Sequence, residues 1–275
     1  MRRVDLRFSD HGVMHVRELH GEVLSRTPGT AAILDDPTSF SIRITSATVA
    51  LTGDDLSTLL NEVVFAYDGS PLKRLKVKTK GNQIVQSGVM HKGVDIPFTM
   101  TASLSLAPDG RIRIHATDMR IFGVDGQKLL HALGLHLSKL LDLSGSRGAA
   151  VVGDDIYLDV SRAVPPPSIV GRLASVRVEG NEIVQEFVRT PDDSMFGSFV
   201  RPDTSARNFV YFRGGGLRFG KLLMSDTDLQ INDADSRDPF DMYLVRYAKQ
   251  LVAGTSRTLP NQGLQVVMPD YTKIR

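Results

Sequence analysis

The chain has 275 residues, 41% of them hydrophobic and 23% charged, which is enough for one large or two ordinary domains with a sizeable core. Its formal net charge of +2 is too small to predict nucleic-acid binding, which needs a strong basic excess. The lack of cysteine excludes disulfides, thiolate metal sites and a cysteine nucleophile. The sequence also has no stretch near the roughly 18 apolar residues that span a bilayer as a helix.

In chain order, the first clear elements are a strand and a helix. Ser41–Thr45 alternates polar and apolar residues, which predicts a strand with one buried face. Thr52 suits a helix N-cap, the two acidic residues of the first turn suit the positive helix end, and Gly69 predicts the stop. One apolar stripe therefore predicts an amphipathic helix over residues 52–67. The stripe consists of Leu56, Leu59, Leu60, Val63, Val64 and Tyr67.

Residues 73–122 predict a meander of long strands. Apolar and polar residues alternate, and the segments are separated by turns that contain Gly81, Gly93 and Gly110. Strands joined by tight turns must be antiparallel, so we expect one antiparallel sheet here. The clearest alternating segments are Leu75–Lys78, Leu104–Leu106 and Arg111–His115.

Two of these strands carry a basic face. Arg74, Lys76, Lys78 and Lys80 share one side of the first strand, and the other set is Arg111, Arg113 and His115. A solvated outer face of an antiparallel sheet explains both sets. The functional alternative is attraction to anionic lipid headgroups, at about 1 kcal/mol per basic residue near such a surface.

A leucine-rich segment from Gly126 to about Leu143 predicts a helix that is apolar over most of its circumference. Such a helix is buried on more than one side. It lies either between two layers of protein or between the sheet and a ligand cavity.

The last part of the chain is predicted from turn and cap signals. Pro165–Pro167 indicates a stiff link, 172–189 a further hairpin around Val176–Glu179, and Arg189–Thr204 a loop. Asp238 followed by proline predicts the start of a helix that ends at Gly254. Its apolar stripe is Phe240, Leu244, Ala248, Leu251 and Val252.

Motifs for catalysis or metal binding are weak. Gly215–Lys221 fits GxxxxGK, but Leu222 replaces the hydroxyl residue of a phosphate loop, so a hairpin turn with strand-like alternation around Leu217–Leu222 explains it better. His11 and His15 lie about 13 Å apart if this segment is a strand, too far for one metal ion. Asp233–Asp238 lacks the glycine and glutamate of a calcium loop. We expect no enzyme activity, no metal and no cofactor.

Three segments together resemble a known family. They are Val49–Asn61, Gly88–Phe98 and Pro165–Gly171, with the leucine-rich segment among them. Over roughly residues 40–190 the chain resembles bacterial proteins of the tubular lipid-binding (TULIP) superfamily, near the LmeA-like phospholipid-binding group and distantly the bactericidal/permeability-increasing protein. The resemblance implies an α+β, β-rich fold: a long, highly curved antiparallel sheet wrapped around amphipathic and apolar helices. It also implies a tube that holds acyl chains, an exported or membrane-facing setting, and no catalytic residues to carry over.

We therefore predict one lipid-binding domain over residues 1–275, with 190–275 as a C-terminal extension made of a hairpin and a helix. The predicted function is non-catalytic binding, and transfer, of a phospholipid or another acyl-chain ligand. The residues predicted to line the cavity are Leu59, Val63, Phe98, Ile114, Leu129, Leu133, Leu137 and Leu140.

Two alternatives stay open: a structural protein of the cell envelope with a filled core, and a hydrolase or transferase whose site has no recognisable motif. The expected partners are a lipid or another hydrophobic small molecule and, as a candidate, an anionic membrane surface. A periplasmic or otherwise exported location presumes a signal peptide, and Met1–Arg3 is not followed by the apolar run of one. A cytoplasmic location therefore also stays open.

Overall fold

The computed structural model describes residues 1–126, 136–189 and 199–274. The structure is β-rich, with 51% strand and 14% helix, and contains a strongly curled antiparallel half-barrel sheet. The predicted β-rich class and curved antiparallel sheet are thus confirmed. Contacts divide the chain into two compact units. The first comprises Met1–Val49, Pro166–Gly171 and Phe187–Arg275, and the second comprises Ala50–Pro165 and Arg172–Glu186. The single domain over 1–275 stays a prediction.

The strands are numbered in chain order. The first eleven are β1 (Arg2–Arg7), β2 (Val13–Ser25), β3 (Ala32–Ile33), β4 (Phe40–Thr52), β5 (Leu72–Lys80), β6 (Gln83–Lys92), β7 (Val94–Leu106), β8 (Ile112–Ile121), β9 (Val124–Asp125), β10 (Ala149–Val152) and β11 (Asp155–Leu158). The others are β12 (Ser168–Val170), β13 (Leu173–Glu179), β14 (Glu182–Phe187), β15 (Phe209–Arg213), β16 (Leu217–Phe219), β17 (Leu222–Met224), β18 (Asp228–Asp233), β19 (Phe240–Tyr243), β20 (Thr255–Thr258) and β21 (Leu264–Met268).

The helices are short. They are α1 (Gly53–Leu59), which continues as a π-helical turn (Leu60–Val64), then α2 (Leu137–Leu140), α3 (Val160–Ala163) and α4 (Tyr247–Ala253). Single 3-10 turns occur at Pro37–Ser39, Leu244–Arg246 and Tyr271–Lys273.

The first unit contains a mixed sheet in the order β4-β2-β1-β15-β18-β21-β20, with β12 beside β4 and β19 beside β1. β1 pairs antiparallel with β2 but parallel with β19, and β18 pairs parallel with β21. A smaller sheet joins β3, β16 and β17. Gly220, with φ +58°, forms the turn between β16 and β17, which confirms the hairpin reading of the glycine-rich motif.

The second unit contains the sheet β10-β11-β8-β7-β6-β5, with β9 beside β8, and its pairings among the described residues are antiparallel. This confirms the predicted meander over 73–122. Gly81, Gly93 and Gly110 all have positive φ at the predicted turns. β13 and β14 are neighbouring strands joined at Gly180 and Asn181, as predicted for 172–189, and β13 packs against β7.

Helix α1 begins as the sequence predicts. The Thr52 side chain accepts a hydrogen bond from the Asp55 amide, and the Asp55 carboxylate accepts one from the Thr52 amide, which forms a capping box. The α-helix ends at Leu59 and the π-helical turn at Val64, so the helix is shorter than the predicted 52–67.

Helix α1 also covers the edge strand of the described sheet, β5. The Ser57 hydroxyl accepts a hydrogen bond from the Val77 amide at 2.8 Å. The Asn61 side chain accepts from the Leu75 amide at 2.9 Å and donates to the Leu75 carbonyl at 2.7 Å. Side chains of a helix thus satisfy backbone groups that a missing neighbouring strand would otherwise leave unpaired.

The predicted leucine-rich helix over Gly126–Leu143 is wrong as one continuous helix. His136 and Leu141 are extended, so only α2 is helical between them. The Asp154 carboxylate accepts a hydrogen bond from the Leu137 amide at 2.8 Å, which fixes a new helix start there. Residues 127–135 of the predicted helix lie outside the described residues.

The predicted helix that starts at Asp238 is also wrong at its start. Phe240–Tyr243 is strand β19 and pairs with β1, so strand pairing overrides the capping signal of Asp238 and Pro239. The α-helix comprises Tyr247–Ala253 and has Gly254 as its C-cap, as predicted for its end. Its predicted apolar stripe is wrong, because Ala248 and Val252 are exposed whereas Tyr247 and Gln250 are buried. Of the predicted loop, residues 199–204 have no regular structure, and 190–198 lie outside the described residues.

Candidate ligand-binding site

The inner face of the sheet in the second unit is apolar because strand residues alternate between its two faces. On β7, Met100 and Ala102 are buried, whereas Thr99 between Phe98 and Met100 is exposed. The buried row continues across the sheet, since Met100 lies opposite Met119 on β8.

This inner face forms one wall of an apolar pocket with a volume of about 30 Å³. The facing wall is supplied by Leu137 of α2 and by Leu141, which follows it. Gln86 is the one polar side chain among the described residues that line the pocket, and it is 4% exposed. The sheet contributes, among others, Leu72, Met90, Phe98, Met100, Met119 and Ile121.

Three of the lining residues are methionines. Methionine is unbranched and polarizable, so it adapts to differently shaped apolar neighbours at little cost. A wall that contains Met90, Met100 and Met119 can therefore change its shape more easily than a wall of branched residues.

A larger polar groove adjoins the apolar pocket, with a volume of about 760 Å³. Leu141 lines both, so the two spaces meet at this side chain. The titratable groups that line the groove are Tyr67, Asp68, His91, Lys92, Lys139 and Asp142, and the serine hydroxyls are Ser138 and Ser144.

The groove carries both cations and hydrogen-bonding groups. The Lys92 ammonium donates to the Lys139 carbonyl at 2.9 Å, which holds two basic residues next to each other. Hydrogen bonds from the Ser144 hydroxyl and amide lower the pKa of Asp142, so this carboxylate is ionised at neutral pH. The buried Tyr67 hydroxyl has no hydrogen-bond partner among the described residues, which is unusual for a buried polar atom.

The eight residues predicted from the sequence fall into three groups. Phe98 and Leu137 line the apolar pocket, and Ile114 is half-buried in the same sheet, opposite Leu104 and Ile156. Leu59 is buried in α1 and Val63 is half-buried in the π-helical turn; neither is among the described residues that line the pocket. Leu140 lies in α2, whereas Leu129 and Leu133 lie outside the described residues.

The sequence reasoning missed the methionines and the polar groove. Met100 continues the alternation that identified Phe98, so strand periodicity could have found it. Met119 is out of phase with Ile114, and a bulge at Thr117 returns it to the inner face, which alternation does not predict. The groove combines residues from turns that are distant in sequence, such as Tyr67 and Ser144, and periodicity gives no signal for such a set.

The two predicted basic faces differ. Arg74, Lys76, Lys78 and Lys80 are exposed on the edge strand β5, where a bulge between Lys73 and Lys76 shifts the alternation. Arg111, Arg113 and His115 instead face carboxylates, since Arg111 pairs with Asp109 and the other two pair with Asp155, each at 2.7 Å.

Asp155 is central to the second basic face. Partial burial raises the pKa of Asp155, but hydrogen bonds from His115 and Arg113 outweigh the burial, and the net pKa lies below its ordinary value. Asp155 therefore neutralises much of the charge on this face. On the β5 face Arg74 pairs with Asp95 at 3.0 Å, and the lysines Lys76, Lys78 and Lys80 are exposed.

Within residues 1–126, 136–189 and 199–274, no cluster of histidine and carboxylate side chains could hold a metal ion. His15, which lies four residues after His11, contacts the Asp5 carboxylate at 2.8 Å. None of the described helices is both long enough and apolar enough to cross a bilayer.

Comparison of the chain with protein-family models, with curated proteins and with solved structures finds no match.

Proposed function

We propose that this protein binds an amphipathic lipid without catalysis, with the acyl chain in the apolar pocket and the headgroup in the adjoining groove. The observation that supports the proposal best is the meeting of the two spaces at Leu141. A ligand with one apolar and one polar end matches that arrangement, and the tubular lipid-binding resemblance and its membrane-facing setting agree with it.

The groove favours an anionic or hydroxyl-bearing headgroup. Lys92 and Lys139 offer positive charge, and the Tyr67 hydroxyl offers a donor that is otherwise unpaired among the described residues. A phosphate group accepts hydrogen bonds from ammonium and hydroxyl donors alike and is attracted by both cations. We therefore propose that the ligand is a phospholipid.

The proposal requires the pocket to widen. A volume of about 30 Å³ admits only a small group, not an acyl chain. Burying about 14 methylenes at about 0.8 kcal/mol each yields on the order of 11 kcal/mol before the costs of ordering are subtracted. That gain is large compared with the cost of moving a few methionine side chains, which adopt several rotamers readily.

The small pocket volume also favours the rival function, a structural protein with a filled core. Both proposals predict the same strand pattern, so only ligand binding separates them.

Mass spectrometry of the gently purified full chain tests the proposal. We expect a stoichiometric co-purified phospholipid, and we expect the delipidated chain to bind a fluorescent fatty acid. Repeated recovery of lipid-free protein that binds no fluorescent fatty acid would support the filled core and contradict lipid binding.

The Leu137→Trp variant adds a structural test. If the pocket widens for a ligand, the indole takes that space, so the variant keeps its stability but loses fatty-acid binding. If the core is filled, overpacking lowers the free energy of unfolding by about 1–3 kcal/mol. Leu229→Trp in the first unit is the matched control, because Leu229 is fully buried in β18 and should show the overpacking loss.

A further inference from the structure

Two turns at one end of the second-unit sheet present apolar side chains to solvent. The turn around Gly93 joins β6 to β7, and the turn formed by Phe122 and Gly123 joins β8 to β9. Val94 is 63% exposed, Phe122 is 64% exposed and Val124 is 56% exposed. Isolated exposed apolar residues are common, but three on neighbouring turns form a patch.

The two turns lie side by side. The Phe122 amide donates a hydrogen bond to the Pro97 carbonyl at 3.1 Å, and Phe98 is the cross-strand partner of Ile121. Val94 is three residues from Pro97 along β7, which is about 10 Å at strand spacing. Val94, Phe122 and Val124 are named the apolar tip.

Phe122 is unfavourable for the fold by itself. Its φ is +51° and that of Gly123 is +78°, the pair of positive values found in tight hairpin turns that prefer asparagine followed by glycine. A phenylalanine there strains its backbone and also exposes an aromatic ring to water. Since neither property stabilises the fold, an apolar partner outside the chain explains the residue better.

The turns at the opposite end of the same sheet are polar. Gly81 and Asn82 join β5 to β6, and Asp109 and Gly110 precede β8. The apolar residues therefore mark one end of the sheet only, which is what a directional docking surface requires.

The net charge of the same strands indicates which kind of partner the tip would bind. Strands β5 to β9 carry eight lysine and arginine residues against three aspartates and no glutamate. Asp95 contacts Arg74 at 3.0 Å and Asp118 contacts Arg120 at 3.7 Å. A net positive sheet with an apolar tip is complementary to an anionic bilayer, whose interface attracts cations and accepts apolar side chains.

We infer that the apolar tip docks this protein on an anionic lipid bilayer, with Phe122 inserted in the interface and Lys73 and Lys92, the basic residues at this end of the sheet, near the headgroups. The inference rests on the proposed lipid-binding function and deepens it, because it names the surface through which the protein would approach its lipid. Docking through the tip requires no covalent chemistry.

Vesicle flotation of the full chain tests docking. We expect binding to vesicles of phosphatidylcholine mixed with phosphatidylglycerol and weak binding to phosphatidylcholine alone. Phe122→Asn should weaken binding to the mixed vesicles about tenfold or more, because it withdraws one aromatic side chain from an apolar phase. Asparagine suits the positive φ of this turn, so the melting temperature of the variant should be equal or higher.

Val252→Asn in α4 of the first unit is the matched control, because Val252 is 87% exposed and lies outside the tip. It should bind the mixed vesicles like the original chain. Docking through the tip is wrong if the original chain binds neither kind of vesicle, or if Phe122→Asn binds as tightly as the original chain. Capture of a protein partner with unchanged vesicle binding in Phe122→Asn would likewise overturn it.

Lipid analysis of the same samples separates this inference from the proposed function. Co-purified lipid in a chain that does not bind vesicles would support the proposed lipid binding and contradict docking through the tip. Vesicle binding that depends on Phe122, in a chain that holds no lipid, would support docking and contradict the proposal of a lipid bound in the pocket.

Discussion

The interiors of the two units differ in how many polar side chains they bury. The first unit buries amides and carboxylates that bond to one another or to the backbone: Gln230 accepts from the Asp203 amide at 2.8 Å and donates to the Asn232 side chain at 2.8 Å. The described inner face of the second unit is apolar apart from Gln86 at the pocket, and methionine is prominent in it.

The difference indicates different tasks. A buried polar network has low energy in only one arrangement, since each displaced group loses a partner in a medium of low polarity. An apolar wall has many arrangements of similar energy, because dispersion contacts are not directional. We therefore expect the first unit to be a fixed scaffold and the second unit to respond to a ligand.

The largest effect is expected for Gln250→Leu in α4. Gln250 is fully buried, accepts from the Tyr243 amide at 3.0 Å and donates to the Asp241 and Pro269 carbonyls at 2.9 Å. Leucine removes these three buried hydrogen bonds to the backbone, so the free energy of unfolding should fall by about 3 kcal/mol. Urea-induced unfolding followed by circular dichroism measures the loss.

The control for that variant is Gln83→Leu on the outer face of the second-unit sheet, where the glutamine side chain donates to the exposed Thr117 hydroxyl. Its effect should stay within about 0.5 kcal/mol. Equal losses of unfolding free energy in Gln250→Leu and Gln83→Leu would show that the buried glutamine contributes no more to stability than the surface one.

A smaller effect is expected for Met100→Leu in the second unit. The side chains are similar in volume and the neighbouring pocket can absorb the change in shape, so the loss should be about 1 kcal/mol or less. The same replacement of Met268 in β21, which is fully buried in the first unit, should cost more. The reverse order in thermal or urea unfolding would show that the second interior is the more rigid one.

The smallest effect is expected for Asp155→Asn. Because the pKa of Asp155 is lowered in the folded state, its contribution to stability is present above the unfolded value of about 3.9 and is lost as pH falls through the folded value. The stability gap between the original chain and the variant should thus shrink in acid. Urea unfolding at neutral and acid pH, with Asp118→Asn as the exposed control, measures it; a gap that grows in acid would contradict the assignment.

Local chemistry made much of the fold predictable. The alternation in β5 to β8, the glycine turns and the Thr52 cap are all set by neighbours in sequence, and the structure has each of them. The start of α4 was missed because Phe240–Tyr243 gains its partners from β1, more than 230 residues away in sequence. No local pattern reports such a pairing.

The candidate site was less predictable for a related reason. A cavity is a property of the space left between distant elements, so periodicity identifies Phe98 as inward-facing but not as a pocket residue. The buried face of α4 was missed because Gln250 is polar, and a polar residue at a helical position is ordinarily assigned to solvent.

The contact between α1 and the edge strand β5 affects how readily copies of the chain can associate through this sheet. An open border offers unpaired amides and carbonyls on which a second chain can add a strand, and repetition of that step leads to fibres. Asn61 already bonds to the amide and carbonyl of Leu75, and Ser57 bonds to the amide of Val77. These three backbone groups therefore cannot pair with an incoming strand. We therefore expect the short helix to block the addition of a strand at Leu75–Val77, on this border of the sheet.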